Sequence, residues 1–433
     1  MSLIIQAFTF AVQFGALCLV WRYTTEHNKR DFVFWVIGIM LAAQNSRFFG
    51  SVLITQMRYL FIPMMLCAIA FRWQMLRGNL GFVAKLYILL TLLIFVASAW
   101  SRYPKIFFEI KLHRTIYAIL MVLMAGTMRD ENDLRKILWA ILPNIILLAL
   151  GLQLGEREII GVDERLSVNE ANSNSVGVFS GYVLFGAVSA FVYLKRTVVI
   201  KMVIAVVALS AIVSLLGSGS RTAFASCVGA SLIVIVALLT NRRRFFTTLI
   251  PLAIGILACG WKVWNTLSYS ITERIRMIAS GGASGREYVW EEGFHYLWQK
   301  GLWQGMGALV QGFFIQRLDF IGNDIAWGST LNIYFDAIME TGIPGLALWL
   351  LILIGFFSCA YRFRHREKSP WRYFPIALAM FGLLQGVGES MSYRAEHPAG
   401  MFMILGLVIV SAKRFRCRLP TPPPSPYFSR TIA

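Results

Sequence analysis

Two arginines lie in polar segments between apolar runs, one in a short turn and one in a long polar stretch. Arg221 belongs to the turn at residues 217–222, GSGSRT, and Arg286 belongs to the polar stretch of residues 268–327. A guanidinium keeps its charge and presents a rigid fork of donors, which suits bidentate binding of a phosphate. The small residues of the turn let a phosphate approach the backbone. The two arginines therefore indicate an anion site; the alternative is that each anchors a helix end.

The polar stretch also predicts an amphipathic helix. Aromatic and polar side chains recur there at three- and four-residue spacings: Tyr288, Glu291, Glu292, His295, Trp298 and Gln299. Such a face suits a sugar chain, and it would also suit a helix lying flat on a membrane. His295 is the first candidate for a catalytic base, because the pKa of histidine is the nearest to neutrality. The alternative is an interfacial histidine without a chemical role.

Charged groups inside apolar runs are costly and therefore need a reason. Arg58 lies in such a run, and Asp336 and Glu340 share one helix face because they are four residues apart. We expect Arg58 and Glu340 to bind substrate. The alternative is that these charged groups pair with one another and lock the helices together.

The composition predicts an integral membrane protein. The chain has 433 residues, of which 57% are hydrophobic and only 15% charged, which excludes an ordinary soluble domain. The fold class is predicted as all-α, a polytopic membrane helical bundle with about 12 or 13 transmembrane helices and one large periplasmic loop. The clearest runs are 3–20, 82–100, 137–154, 178–194, 198–217, 222–239, 247–264, 346–361 and 373–389; less certain ones are 32–44, 51–71, 115–127 and 401–412. No signal-peptide pattern precedes the first run, which we expect to remain in the mature protein.

The distribution of charge predicts the orientation. The formal net charge is +19, but Lys and Arg cluster in connectors beside apolar runs, as the positive-inside rule describes, which argues against nucleic acid as a partner. Connectors at 22–30, 72–77, 195–201, 241–244, 362–372 and 413–418 are predicted to be cytoplasmic, and those at 101–114, 155–175, 268–327 and 392–400 periplasmic. The connector at 101–114 is itself basic, so it suits either an anionic ligand or lipid head groups.

These features divide the chain into four predicted regions. Residues 1–267 form the N-terminal transmembrane helices, 268–329 the large periplasmic loop, 330–412 the C-terminal transmembrane helices and 413–433 a cytoplasmic Pro-rich tail. The six cysteines show no paired spacing and are expected to be packing residues. No metal-ligand spacing of Asp, His or Cys occurs, so we expect neither a metal nor a cofactor.

Four local motifs in this order resemble the bacterial O-antigen ligase and O-antigen polymerase superfamily. They are Asn172 and Asn174 with Gly177, the turn SRTA at residues 220–223, Gly285-Arg286 with Trp290 and the GMG turn at 305–307, and Asn332 with Tyr334, Glu340 and the GIPG of residues 342–345. The resemblance implies that Arg221 and Arg286 are catalytic and that Asn174, Asn332 and Trp290 bind substrate. A helix cap is the alternative for Asn174.

The resemblance further implies the substrates and the location. The donor would be a glycan on polyprenyl diphosphate, and the acceptor another glycan or lipid A core, at the periplasmic face of the bacterial inner membrane, with a chain-length regulator as a possible partner. The reaction would be an inverting transfer in which the arginines stabilise the departing diphosphate.

One departure separates polymerase from ligase. The superfamily has a histidine before the Asn of the last motif, and here that position is Leu331. Another group would then act as base, with His295 first and His397 among the others. The absence favours a polymerase of O-antigen, capsule or exopolysaccharide over an O-antigen ligase. A transporter or flippase of an anionic lipid-linked substrate is a further alternative, although the chain lacks the repeated halves usual in transporters.

Overall fold

Nearly all of the described chain is helical. The computed structural model describes residues 29–45, 54–101, 104–154, 157–160, 165–168, 173–194, 198–239, 286–307, 332–366, 369–388 and 397–415. The helices, numbered in chain order, are α1 Phe32–Asn45, α2 Ile54–Phe71, α3 Trp73–Leu76, α4 Phe82–Val96, α5 Pro104–Gly126, α6 Glu131–Leu154, α7 Ser173–Tyr193, α8 Val198–Ser218, α9 Arg221–Leu239, α10 Arg286–Lys300, α11 Ile333–Thr341, α12 Ile343–Arg366, α13 Tyr373–Gly388 and α14 Pro398–Ser411. Short 3-10 helices occur at Lys29–Asp31, Ala97–Trp100 and Pro370–Arg372.

Several of these helices have the dimensions of membrane spans. Within the described part of the chain, 5 helices are long and apolar enough to cross a bilayer. They are Phe82–Trp100, Glu131–Gln153, Asn174–Tyr193, Val199–Ser218 and Ile343–His365. The predicted all-α, polytopic membrane bundle is therefore confirmed. The predicted runs at 3–20 and 247–264 lie outside the described residues.

A small hairpin interrupts the helical pattern between α6 and α7. Strands β1 (Arg157–Ile160) and β2 (Arg165–Val168) pair antiparallel, with Arg157 opposite Val168 and Ile160 opposite Arg165. The hairpin falls in the predicted periplasmic connector at 155–175, and β2 packs against α7 and α8. Pairing satisfies the backbone groups that the two strands turn towards each other.

Helix α14 forms the centre of the described bundle. Every residue from Pro398 to Val410 is buried, and the helix packs against α4, α5, α7, α12 and α13. Glycines allow the closest approach: a Cβ on Gly406 would lie 2.3 Å from the Ala379 nitrogen, and one on Gly382 would lie 2.4 Å from the Ala399 oxygen. Small residues at helix contacts let backbones pack tightly, which drives association in a bilayer.

Polar side chains join the helices at the end of the bundle where the basic connectors gather. The Asn79 side chain donates hydrogen bonds to the carbonyls of Gly126 (2.7 Å) and Met128 (3.0 Å) and accepts one from the Arg414 amide (2.9 Å). Arg72 forms a buried ion pair of 2.7 Å with Asp133. The predicted connectors at 72–77 and 413–418 thus meet at one end.

We expect Asn79→Ala to destabilise this end, because the completely buried amide satisfies three backbone groups. Leaving such groups unpaired lowers the free energy of unfolding by about 1–3 kcal/mol. Thermal unfolding of the detergent-solubilised protein measures the change. Arg77→Ala, at an exposed neighbouring position, is the matched control and should change stability by less than about 0.5 kcal/mol. Equal melting temperatures for the two variants would contradict the assignment.

Candidate functional site

The short helix α11 lies at the end of the bundle opposite to Asn79. Its N-terminus is capped by the Asn332 side chain, whose oxygen accepts hydrogen bonds from the amides of Tyr334 (3.0 Å) and Phe335 (3.1 Å). At its C-terminus Gly342 has a φ of 69°, a conformation that glycine adopts without strain. The cap explains why α11 begins after Asn332, and Gly342 explains why α11 and α12 are separate helices.

Helix α10 packs its small and apolar residues against α11. The ring centroids of Trp290 and Phe335 are 6.4 Å apart, and Leu297 is buried against Ile338 and Met339. The opposite face of α10 is exposed and carries Glu291, His295, Trp298 and Gln299. The amphipathic helix predicted from the sequence is confirmed. Its exposed face offers aromatic and polar groups to a ligand, and the role of His295 as base stays a prediction.

Backbone hydrogen bonds join the turn after α10 to both ends of the α11–α12 junction. The amides of Met306 and Gly307 donate to the carbonyls of Met339 (2.7 Å) and Glu340 (3.1 Å), and the Ile343 amide donates to Leu302 (3.0 Å). Gly305 and Gly307 have φ values of 70° and 83°. A Cβ on Gly305 would lie 2.5 Å from the Thr341 nitrogen. The GMG turn therefore needs glycine both for its dihedral angles and for this contact.

The same turn also touches the end of α4. The Trp100 indole donates to the Gln304 carbonyl (3.1 Å), and a Cβ on Gly307 would lie 2.7 Å from the Ser101 Cα. The polar segment is thus fixed to the membrane helices through α4 as well as through α11. The Glu340 carbonyl accepts a hydrogen bond from the Gly307 amide. Glu340 therefore also lies near the end of α4.

A buried ion pair fixes α11 to α5. The Lys111 ammonium lies 2.7 and 2.8 Å from the two carboxylate oxygens of Glu340, and the two side chains are only 3% and 4% exposed. Both oxygens of Glu340 are therefore already engaged, which favours the locking role over direct contact with substrate. Removing one partner of such a pair leaves an uncompensated buried charge.

Lys111 belongs to residues 101–114, which were predicted to form a connector, and that prediction is wrong. Helix α5 begins at Pro104 and carries Lys111 inside the bundle. The run of charged residues suggested a surface loop, but Glu340 compensates the charge of Lys111 from 229 positions away in the sequence. The sequence did contain a signal for this pair. Glu340 in an apolar run and Lys111 are both predicted near the periplasmic side, where each could neutralise the other.

The turn before Arg221 packs against the start of α7. A Cβ on Gly177 would lie 2.4 Å from the Ser220 Cβ, and Gly219 has a φ of 59°. The Ser220 hydroxyl accepts a hydrogen bond from the Ala223 amide (3.4 Å), which caps α9. Arg221, the first residue of α9, is exposed, and Asn174 in the first turn of α7 is half-buried. The motifs at 172–177 and 220–223 therefore adjoin each other.

The C-terminal half of α13 connects the start of α9 with α11. Ser226 donates to the Gln385 side chain (2.7 Å), and Tyr334 donates to the Leu383 carbonyl (3.0 Å). Thr222 lies against Gly388, since a Cβ on Gly388 would be 2.1 Å from the Thr222 hydroxyl oxygen. Arg221 and the Asn332 end of α11 are thus at the same end of the bundle.

The order of contacts between α10 and α11 places Arg286 at this end too. Trp290 meets Phe335 and Leu297 meets Ile338, so the first turn of α10 lies towards Asn332. Arg286 begins that turn. The side chains of Arg286 and Arg58 lie outside the described part of the structure. The backbone therefore brings the positions of Arg221 and Arg286 to one end of the bundle, and their catalytic roles stay a prediction.

His397 lies at this end as the cap of α14. Its Nδ1 accepts a hydrogen bond from the Ala399 amide (3.3 Å), and its ring packs 5.3 Å from that of Phe179. An Nδ1 that accepts a hydrogen bond places the proton of the neutral ring on Nε2. A proton acceptor must offer a free lone pair, so this arrangement favours a structural role for His397 and keeps His295 as the candidate base.

A comparison with models of protein families found a match. Residues 205–350 match the family described as O-antigen ligase. Residues 205–350 are therefore similar to the O-antigen ligase family, and this segment is called the O-antigen ligase domain below. The domain includes Arg221, Trp290, Asn332 and Glu340, and it leaves out Lys111. A comparison with curated proteins found no match.

The match confirms the resemblance to the superfamily and covers three of the four motifs; the motif of Asn172, Asn174 and Gly177 lies before it. It runs from within α8 to within α12 and contains all of α9, α10 and α11. With the membrane-spanning helices, it supports a membrane enzyme that processes glycans. The catalytic and substrate-binding roles of the individual residues remain proposals.

Proposed function

We propose that this protein is a membrane glycosyltransferase that polymerises O-antigen, capsule or exopolysaccharide repeat units. It takes the glycan from polyprenyl diphosphate at the periplasmic face of the bacterial inner membrane. The observation that carries the proposal is the O-antigen ligase domain at 205–350, with the starts of α9, α10 and α11 at one end of the bundle. That end is opposite to the basic end at Asn79, which the positive-inside rule assigns to the cytoplasm.

The chemistry is a single displacement at the anomeric carbon. A hydroxyl oxygen of the acceptor forms the new bond, the bond to the diphosphate oxygen breaks, and the anomeric centre inverts. Arg221 and Arg286, with Arg58, stabilise the charge that develops on the leaving diphosphate. His295 takes the proton of the hydroxyl. No step needs a metal ion.

The sugars are held by the exposed face of α10. Trp298 supplies an aromatic surface, and Glu291 and Gln299 supply acceptors and donors. Trp290, half-buried against Phe335, borders this face. Asn174, half-buried beside the Arg221 turn, and Asn332 at the start of α11 adjoin the same space from the bundle. Hydrogen bonds to sugar hydroxyls fix the reacting carbon against the acceptor, which lowers the entropic part of the barrier.

A ligase is the second candidate, because the matching family is described as O-antigen ligase. A ligase would pass the glycan to lipid A core instead of to another lipid-linked repeat unit. We favour the polymerase because Leu331 cannot transfer a proton at the position where the superfamily has a histidine. A chain-length regulator would be the partner of the polymerase.

The choice of acceptor provides the test. Purified full-length protein is given a polyprenyl diphosphate-linked repeat unit, and released polyprenyl diphosphate and glycan length are measured. We expect release together with longer glycans when the repeat unit is the only substrate. Release that begins only when lipid A core is added would assign a ligase. No release with either acceptor would contradict transfer and favour transport.

A further inference from the structure

An open groove between α4 and α5 lies outside the O-antigen ligase domain. It is lined by Leu90, Thr91 and Ile94 of α4 and by Lys111, Arg114 and Thr115 of α5. The groove is shallow: its enclosed volume is only about 20 Å³, and most of its space is open to the surroundings. On each helix the lining residues follow three- and four-residue spacings, so each set occupies one face. The groove therefore runs along the line where two neighbouring helices meet.

The groove is bordered by apolar side chains that face outwards. Leu89 and Leu92 of α4 and Phe108 and Leu112 of α5 are all exposed. Helix α4 belongs to the candidate span Phe82–Trp100, so in a membrane the side chains of Leu89 and Leu92 contact hydrocarbon. A prenyl or acyl chain can enter such a groove from the bilayer without crossing water.

The two cations of the groove differ in their partners. Lys111 is held by both oxygens of Glu340. Arg114 is half-buried and has no hydrogen bond or ion pair with any other side chain that the structure describes. Side chains on a helix point towards its N-terminus, so Arg114 points towards the end of α5 where Glu340 lies. A guanidinium at membrane depth that makes no ion pair with a described side chain is costly, which favours an anionic ligand.

Helix α11 connects the wall of this groove to α13, and α13 in turn contacts the start of α9. At one end Tyr334 bonds to Leu383 of α13, which also contacts the start of α9; at the other end Glu340 bonds to Lys111 in the groove wall. The helix has 9 residues, which corresponds to about 13 Å. Helix α11, on which α10 packs, thus lies between the cations of the groove and the helix that contacts the start of α9.

We propose that the groove binds the phosphate-bearing lipid of the acceptor, with Arg114 on the phosphate and the lipid chain along α4 and α5. Arg221 and Arg286 then hold the diphosphate of the donor, and the sugars of both substrates meet over α10 and α11. The assignment rests on the proposed function, because only a transferase with two lipid-linked substrates needs two phosphate sites. A membrane phospholipid has the same phosphate chemistry, and the experiment separates the two.

The binding test uses full-length protein in phosphatidylcholine nanodiscs and a polyprenyl diphosphate with a photoreactive group beside the diphosphate. Peptide mapping measures labelling of the 87–118 segment. Arg221→Ala combined with Arg286→Ala should leave this labelling in place, and Arg114→Gln should reduce it about tenfold, the loss of one charge-assisted interaction. Arg114→Lys keeps the charge and should retain an intermediate level. Labelling of Arg114→Gln at the wild-type level would overturn the proposal.

A kinetic test assigns the lipid to the acceptor. With donor and acceptor varied separately, Arg114→Gln should raise the KM of the acceptor about tenfold and leave that of the donor within twofold. Arg364→Gln, which removes an exposed arginine at the opposite end, is the control and should change neither. An increase confined to the donor KM would refute the acceptor assignment.

Competition identifies the source of the phosphate. Unlabelled polyprenyl diphosphate should displace the probe from the groove, whereas phosphatidylglycerol at the same concentration should not. Equal displacement by both would make the groove a phospholipid site and overturn the proposal. Absence of glycan transfer together with Arg114-dependent labelling would refute the proposed function and leave the lipid phosphate site standing, so the two failures are distinguishable.

Discussion

Replacing Arg286 with alanine is expected to reduce the rate of glycan transfer by about 10²- to 10³-fold while the protein stays folded. A donor that stabilises charge on the leaving group acts mainly in the transition state, so kcat should fall more than the KM of the donor rises. Release of polyprenyl diphosphate under single-turnover conditions measures the chemical step. Arg286 begins α10 one turn before Trp290, so the substitution leaves the contact with α11 in place.

Two further variants make the Arg286 experiment specific. Arg286→Lys keeps the charge but loses the fork of donors, and its rate should lie between those of wild type and Arg286→Ala. Lys413→Ala removes an exposed charge at the opposite end of the bundle and should transfer at the wild-type rate. An unchanged rate for Arg286→Ala would remove this residue from the mechanism.

Lys111→Met is expected to lower the free energy of unfolding by about 3–5 kcal/mol, because it leaves the Glu340 carboxylate buried without its counter-ion. Combining it with Glu340→Gln removes both charges and should restore most of the loss, since a neutral pair of similar size needs no compensation. Thermal unfolding in detergent measures stability for the two single variants and the double variant. The coupling energy follows from this cycle.

Transfer activity of the same variants separates a locking role from substrate contact. If Glu340 only holds α11 against α5, the double variant should regain activity together with stability. A double variant that is stable and inactive would show that the carboxylate contacts the sugar. Simple additivity of the two single effects would contradict the ion pair itself.

The local parts of the site could be predicted from the sequence. The spacing of Glu291, His295, Trp298 and Gln299 predicted the amphipathic helix, and the structure exposes these four side chains on α10. Arg221 was predicted in a turn between two spans and begins α9 after that turn. Hydrophobic periodicity and glycine positions are local signals, so one sequence is enough to recover them.

The contacts that assemble the site were not predictable in the same way. Lys111 bonds to Glu340, which is 229 positions away in the sequence. When Glu340 is not known to be its partner, Lys111 and the charged residues around it are typical of a surface loop. The break at Gly342 depends on the turn at 302–307, whose backbone groups satisfy the carbonyls of α11. The hairpin at 157–168 is too short for strand periodicity to stand out from a polar connector. Each miss reflects a long-range contact or an element shorter than the pattern needs.

The backbone joint between the turn after α10 and helix α11 has a consequence for how such an enzyme diversifies. The Met306, Gly307 and Ile343 amides make the joint, so it depends on glycines and on main-chain geometry and hardly on the side chains around it. Mutations can therefore accumulate on the outward face of α10 without loosening the frame that carries it. In the proposed glycosyltransferase, substitutions at those positions would change the saccharide that is recognised while the alignment of the reacting groups is kept.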